Sequence, residues 1–135
     1  MVEGLKVKTL EQERANFCLE EVKNLPKEKD KRDKYKANAR RLPAFIVSNG
    51  LISTLAFYKS KEETKPVYYT LNKWLQKRGY ISKDKDAFDE LVNKDFQILR
   101  LATTEILALA NWLKRTVEIE IQEEKANSLG EREGQ

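Results

Sequence analysis

Residues 33–61 read DKYKANARRLPAFIVSNGLISTLAFYKSK, and the fold turns on how this stretch is read. Its middle, residues 42–58, holds no charged side chain. Leu42, Phe45, Ile46, Asn49, Ile52, Leu55 and Ala56 follow the 3.6-residue period of a helix. Val47, Leu51 and Phe57 fill the other side, so the spacing predicts a helix over 33–61 that is buried nearly all round. Pro43 lies inside it. A proline there removes one backbone hydrogen bond and crowds the preceding turn, which predicts a kink or break near Arg41–Leu42. Gly50, roughly 1 kcal/mol worse than alanine in a helix, is expected where another helix crosses closely. The uncharged run also holds Ser48, Ser53 and Thr54. It is too short and too polar to span a bilayer, so no membrane partner is expected.

Helical periods continue on both sides. Thr9 and Gln12 form a capping box ahead of a first helix with Leu10, Ala15, Cys18, Leu19 and Val22 on its apolar stripe. That helix is expected to stop before Pro26, with 27–33 as a charged connection. A third helix is expected over 65–78, with Thr64 as cap, Pro66 in its first turn, Val67, Leu71, Trp74 and Leu75 inward, and Gly79 after its end. A short fourth helix from Ser82 or Asp84 turns Phe88, Leu91 and Val92 inward. A long last helix over 95–123 carries Leu99, Ala102, Ile106, Leu109, Leu113 and Val117, with Trp112 and Leu101 on its flank. The expectation is a single all-α domain of four to six helices over 9–124. An extension over 1–8 precedes it and an acidic, disordered tail over 125–135 follows.

Charge is distributed unevenly. Nine cations lie between Lys23 and Arg41 against Glu28, Asp30 and Asp33, more positive than the whole chain's formal +4. The second half is slightly acidic, and the last 18 residues hold six Glu against Lys125 and Arg132. A basic segment running into a buried helix is one way for a small scaffold to hold a polyanion; the bland alternative is a solvated face. Lys34, Arg41 and Lys59 lie close to whole numbers of helical turns apart and would share one face if Pro43 does not rotate it.

Other chemistry is poorly supplied. There is no histidine and a single cysteine, so histidine-assisted nucleophilic catalysis, an intrachain disulfide and a Cys-rich zinc site are excluded. The five glycines are too scattered for a phosphate loop. Asp84, Asp86, Asp89 and Glu90 are read as helix-start acids rather than magnesium ligands. Cys18 is read as a packed core residue. Arg14 and Glu105 both stand beside apolar stripes. A structural ion pair between the first and last helices is favoured over a ligand role, while an exposed Arg14 would join the basic face. The tyrosines and Trp74 are read as packing rather than as base-stacking platforms. No enzyme activity, cofactor or metal is expected, and the lone cysteine with no visible signal peptide points to a cytoplasmic setting.

Four blocks then stand out in order: EQERANF at 11–17, RRLPAFIVSNGLISTLAFYKSK at 40–61, LNKWL at 71–75 and LATTEILALANWLKR at 101–115. Together, over roughly 9–117, they resemble the small helical subunit of the type III-B (Cmr) CRISPR effector complex. The resemblance implies an all-α, non-catalytic protein of antiviral defence. Its copies would stack beside backbone and large subunits as an inner filament along the guide RNA and target RNA. It also implies Arg14, Arg41, Lys59, Lys61, Lys114 and Arg115 as basic RNA contacts, to which the basic run adds Lys34 and Arg40. Two other classes remain open from the residues themselves: a helical protein–protein adaptor and a stand-alone nucleic-acid-binding protein.

Overall fold

The computed structural model describes residues 7–122, so the expected tail over 125–135 and most of the expected extension over 1–8 lie outside the described residues. Six helices follow one another: α1 (Leu10–Lys23), α2 (Lys29–Asn49), α3 (Leu51–Ser60), α4 (Lys65–Lys77), α5 (Ala87–Leu91) and α6 (Phe96–Glu120). No strand occurs among the described residues. The long α6 is the spine, with α1 and α2 packed along it and α3, α4 and α5 gathered against them. Arg14 meets Glu105 and Cys18 meets Leu109, so α1 runs parallel to α6. Lys36 meets Ile121 and Arg40 meets Glu118, so α2 runs antiparallel to it.

Local chemistry sets most helix ends. Thr9 accepts the Gln12 N–H at 3.1 Å while the Gln12 side chain accepts the Thr9 N–H at 2.8 Å, a complete capping box. Asp86 caps α5 and Asp95 caps α6 with a single side-chain bond each, accepting the Asp89 and Ile98 N–H. At the end of α4, Gly79 adopts φ 80°. The Tyr80 N–H reaches the Leu75 carbonyl and the Gly79 N–H reaches that of Gln76, the two bonds of a Schellman motif. Thr64 stands at the N-cap of α4 but turns its hydroxyl back to the Tyr58 carbonyl at 2.7 Å, so it closes the α3–α4 turn and does not cap α4.

The expected helix over 33–61 is two helices, and the division is not at the proline. α2 begins at Lys29, inside the stretch expected to be a charged connection, because Lys29–Asp33 and Lys34–Asp30 pair at i,i+4 spacing. It passes through Pro43 and ends at Gly50, whose φ 82° and ψ 165° are open essentially only to glycine. The interruption is one residue long: the Gly50 N–H still bonds the Ile46 carbonyl, and the Gly50 carbonyl accepts from the Thr54 N–H. A Cβ added at Gly50 would meet nothing within 4 Å, so the glycine serves the backbone turn and no helix crosses closely there. The break resets the register of the apolar stripe. Leu42, Ile46, Leu51 and Leu55 are buried, whereas Val47 and Asn49 face outward, so this segment is not buried all round. Val92, expected inward, is also exposed.

The core joins Cys18 and Val22 of α1, Leu42 and Ile46 of α2, Leu71, Trp74 and Leu75 of α4, and Ala102, Ile106, Leu109, Leu113 and Val117 of α6. Tyr35, Tyr58 and Tyr68 are buried with their hydroxyls bonded to Thr70, to the Asn38 carbonyl and to the Phe88 N–H. Among the described residues no buried side-chain nitrogen or oxygen lacks a partner.

Candidate nucleic-acid interface

The basic residues divide into three groups by what they touch. Arg14 and Lys59 are committed to carboxylates. Arg14 lays its guanidinium on Glu105, Nε to Oε2 at 2.7 Å and Nη2 to Oε1 at 2.8 Å, and Trp74 Nε1 donates to the same carboxylate at 2.9 Å. That hydrogen bond raises the Arg14 pKa against the opposing effect of burial. Burial pushes the Glu105 carboxyl up, but the bonds from Arg14 and Trp74 outweigh it and hold the group below its ordinary range. Lys59 Nζ meets Asp86 at 2.8 Å and Asp89 at 3.1 Å and stands over the Phe88 ring. The bond to Asp86 raises its pKa. Lys59 therefore faces α5, and the face expected to join Lys34, Arg41 and Lys59 does not form because Gly50 separates α3 from α2.

A second group lies where α2 meets the α3–α4 turn. Arg41 donates from Nη2 to the Asn38 side-chain oxygen, and Asn38 in turn donates to the Glu63 carbonyl at 2.9 Å. Phe45, one turn beyond Arg41, stacks on Phe57 with centroids 4.8 Å apart. Lys61 Nζ sits 4.6 Å above the Phe57 ring. Phe45, Phe57 and Lys61 thus form one strip, a stacked ring pair with the Lys61 ammonium over one ring, and Arg41 stands one helical turn before Phe45 on α2. Lys34 stands two turns before Arg41 and pairs with Asp30 at 3.2 Å. Among the described residues no carboxylate lies within ion-pair distance of Arg41 or Lys61.

The third group is Arg40, which crosses from α2 to α6, and two exposed cations of α6 itself. Arg40 meets Glu118 at 3.4 Å. Lys114 is one turn from Glu118 on α6, and Arg115 stands 5.8 Å over the half-buried Trp112 ring. Arg40 and Arg41 are consecutive on a helix, about 100° apart, so the basic surface wraps both sides of α2 rather than lying on one face.

The sequence reading leaves the aromatic pair out of this surface because Phe45 fits the apolar stripe and Phe57 reads as filling the other side of a helix buried nearly all round. The legible signal was the i,i+4 spacing of Arg41–Phe45 and of Phe57–Lys61. Three of the four acids of the 84–90 cluster have partners. Asp86 caps α5 and, with Asp89, holds Lys59, while Glu90 accepts the Ser82 N–H and pairs with Lys94. Among the described residues no three His, Cys, Asp or Glu side chains are placed to hold a metal ion.

The profile of the CRISPR-associated protein family Cas_Cmr5 matches residues 10–120, from the first residue of α1 to the last of α6. The chain belongs to this family. A Cmr5 relative, the CRISPR system Cmr subunit Cmr5 of Thermotoga maritima, is 33% identical over 121 residues, covering 87% of this chain and 89% of the relative. The crystal structure of a CRISPR-associated Cmr5 family protein from Thermus thermophilus superimposes with a TM-score of 0.71 at 28% identity. That match covers 85% of this chain and all of the other. The all-α architecture is therefore the Cmr5 fold. Both the cation–aromatic strip and the α2–α6 seam lie within the Cmr5 match, whereas residues 121–135 lie beyond it.

Proposed function

We propose that this chain is a non-catalytic, cytoplasmic subunit of a Cmr (type III-B) CRISPR ribonucleoprotein that acts in antiviral defence. Copies stack on one another and on the backbone and large subunits, and hold guide and target RNA through the cations flanking α2. Membership of the Cmr5 family over the whole helical domain carries this reading. The RNA contacts are assigned to Arg41 and Lys61 first, because no carboxylate neutralises their charge, Lys61 stands over a stacked ring pair and Arg41 lies one turn from its Phe45. Lys34, Arg40, Lys114 and Arg115 extend the surface, while Arg14 and Lys59 are left to hold helices together.

An assembled binder fits the charge. With net +4, a single copy offers few phosphate contacts and binds RNA weakly at physiological salt. Copies held in register multiply those contacts through effective concentration. Base pairing to the guide then reads the sequence while the protein holds backbone and shape. The exposed Phe96 and Val47, 74% and 72% accessible, support protein-facing contacts on the same molecule.

The test is a tagged pull-down from the native host, followed by target binding with Arg41→Glu and Lys61→Glu in the recovered complex. Short guide RNAs with several partner subunits, and weaker target binding by both variants, are expected. Recovery without RNA would favour an adaptor, and tight RNA binding by the chain alone would favour a solitary binder. Unchanged target affinity and salt dependence in both variants would remove the strip from the interface.

A further inference from the structure

The break at Gly50 opens a groove of about 420 Å³ against the start of α6. Leu51 and Ile52 line it from α3, Phe96 and Leu99 from α6, and its surface is mainly apolar. Phe96 is exposed, and a Cβ added at Gly50 would meet nothing within 4 Å, so the groove is open at the break. Its free polar groups are donors. α3 begins at Leu51 with no side-chain cap and no acid in its first turn. The N–H groups of Leu51, Ile52 and Ser53 meet no acceptor among the described residues. Arg100 lines the same groove, its guanidinium 6.0 Å from the Phe96 ring centroid. Among the described residues no carboxylate lies within ion-pair distance of Arg100, and none of the lining residues is acidic.

We propose that this groove is the docking site for a segment of a neighbouring, different subunit in which an Asp or Glu lies within one helical turn of an apolar side chain. The apolar side chain packs against Ile52, Leu99 and Phe96. The carboxylate takes the Arg100 guanidinium and the uncapped start of α3, where the positive end of the helix dipole favours an anion. An apolar centre edged by an exposed aromatic ring and an arginine is the make-up of a protein interface. RNA fits the groove poorly, because holding a phosphate backbone takes several cations and the lining supplies one. Docking here rests on the reading of the chain as an assembled subunit, but it uses neither Arg41 nor Lys61.

The experiment uses the complex assembled on the tagged full chain, with Phe96 replaced by the photocrosslinking residue p-benzoylphenylalanine. Irradiation followed by mass spectrometry of the joined peptides identifies the occupant. The expected crosslink is to a different subunit, at a segment with Asp or Glu within one turn of an apolar residue. In a second arm, Arg100→Glu is expected to lower retention of that subunit several-fold while the melting temperature of the isolated chain stays at its native value. Reversing the crosslinked carboxylate to Lys is expected to restore retention, which a merely structural effect of Arg100 would not allow. A crosslink to RNA, to a second copy of this chain or to a segment without a carboxylate overturns the proposal. So does an intact complex with no crosslink, unchanged retention in Arg100→Glu, or a charge reversal that restores nothing. Recovery of the chain with no partner subunit overturns the assembled-subunit reading and this docking with it, so the two failures are told apart.

Discussion

Arg14 and Glu105, 91 residues apart in the chain, share two hydrogen bonds of 2.7 and 2.8 Å that tie α1 to the middle of α6. Glu105 is 6% exposed and also accepts from Trp74 Nε1, so three helices converge on one carboxylate. Arg14→Ala leaves that carboxylate nearly buried with only the indole N–H. The expected loss is about 3 kcal/mol, the low end for breaking a buried pair because Arg14 is partly exposed. Replacing both together, as Arg14→Met with Glu105→Leu, is expected to be much milder. Denaturant unfolding of the three variants measures the difference.

The same carboxylate predicts an acid limit. Its folded pKa is depressed, so its contribution is fully present above the unfolded value of about 4.3 and is lost as pH falls through the folded value. Asp86, where hydrogen bonds led by that from Lys59 outweigh burial, acts in the same direction. Melting temperature is expected to hold from pH 7 to about 5 and then fall. In Glu105→Gln the fall is shallower, because one of the linked protons is gone. A slope identical to that of the native chain would show that Glu105 is not among the groups responsible.

Gly50 and Pro43 are expected to exchange the roles that sequence reading assigns them. Gly50→Ala places a side chain at φ 82°, ψ 165°, at a cost of about 1–3 kcal/mol with no steric clash to relieve. Pro43→Ala restores a helical N–H inside a helix that already continues, and is expected to be neutral or mildly stabilising. Thermal melts of the two variants decide it.

Cys18 is fully buried between α1 and α6, its Sγ 3.8 Å from the Leu109 carbonyl, and burial pushes its thiol up to about 12. Modification by a thiol reagent at pH 8 is expected to proceed only through opening of the α1–α6 contact. Leu109→Ala, at a cost of about 2–5 kcal/mol, is expected to speed labelling in proportion. Trp112→Ala, a half-buried residue under Arg115, is expected to change it far less.

Within an assembled complex, Arg41→Ala and Lys61→Ala are each expected to lower the salt slope of target binding by about 0.7, the single-strand value per phosphate. Lys59→Ala is expected to leave that slope unchanged and to loosen α5, since its ammonium holds Asp86 and Asp89. The reverse ranking would move the RNA surface to the α3–α5 side.

Much of this was legible one helix at a time. The capping box at Thr9, the Schellman glycine at Gly79 and the stripe from Ala102 to Val117 act through neighbours within six residues or so. The same reach explains the error over 33–61. Proline carries the stronger average penalty, yet α2 passes through Pro43, and within 33–61 the residue with positive φ is Gly50. Which neighbours Lys59 and Lys61 take was not legible either. They sit two residues apart in one block, but they turn to different neighbours, Asp86 and Asp89 for one and Phe57 for the other.

The sequence by itself determined the all-α class, the approximate places of most helices, the core stripes and the family. Each follows from residue spacing, capping chemistry and the order of blocks along the chain. The tertiary structure alone decided which cations are spent on carboxylates, where the long central segment divides, and that the basic surface wraps both sides of α2. Those outcomes depend on groups 27 to 91 residues apart meeting within 3 Å or so, and a charge reads the same in a sequence whether its partner waits across the core or not.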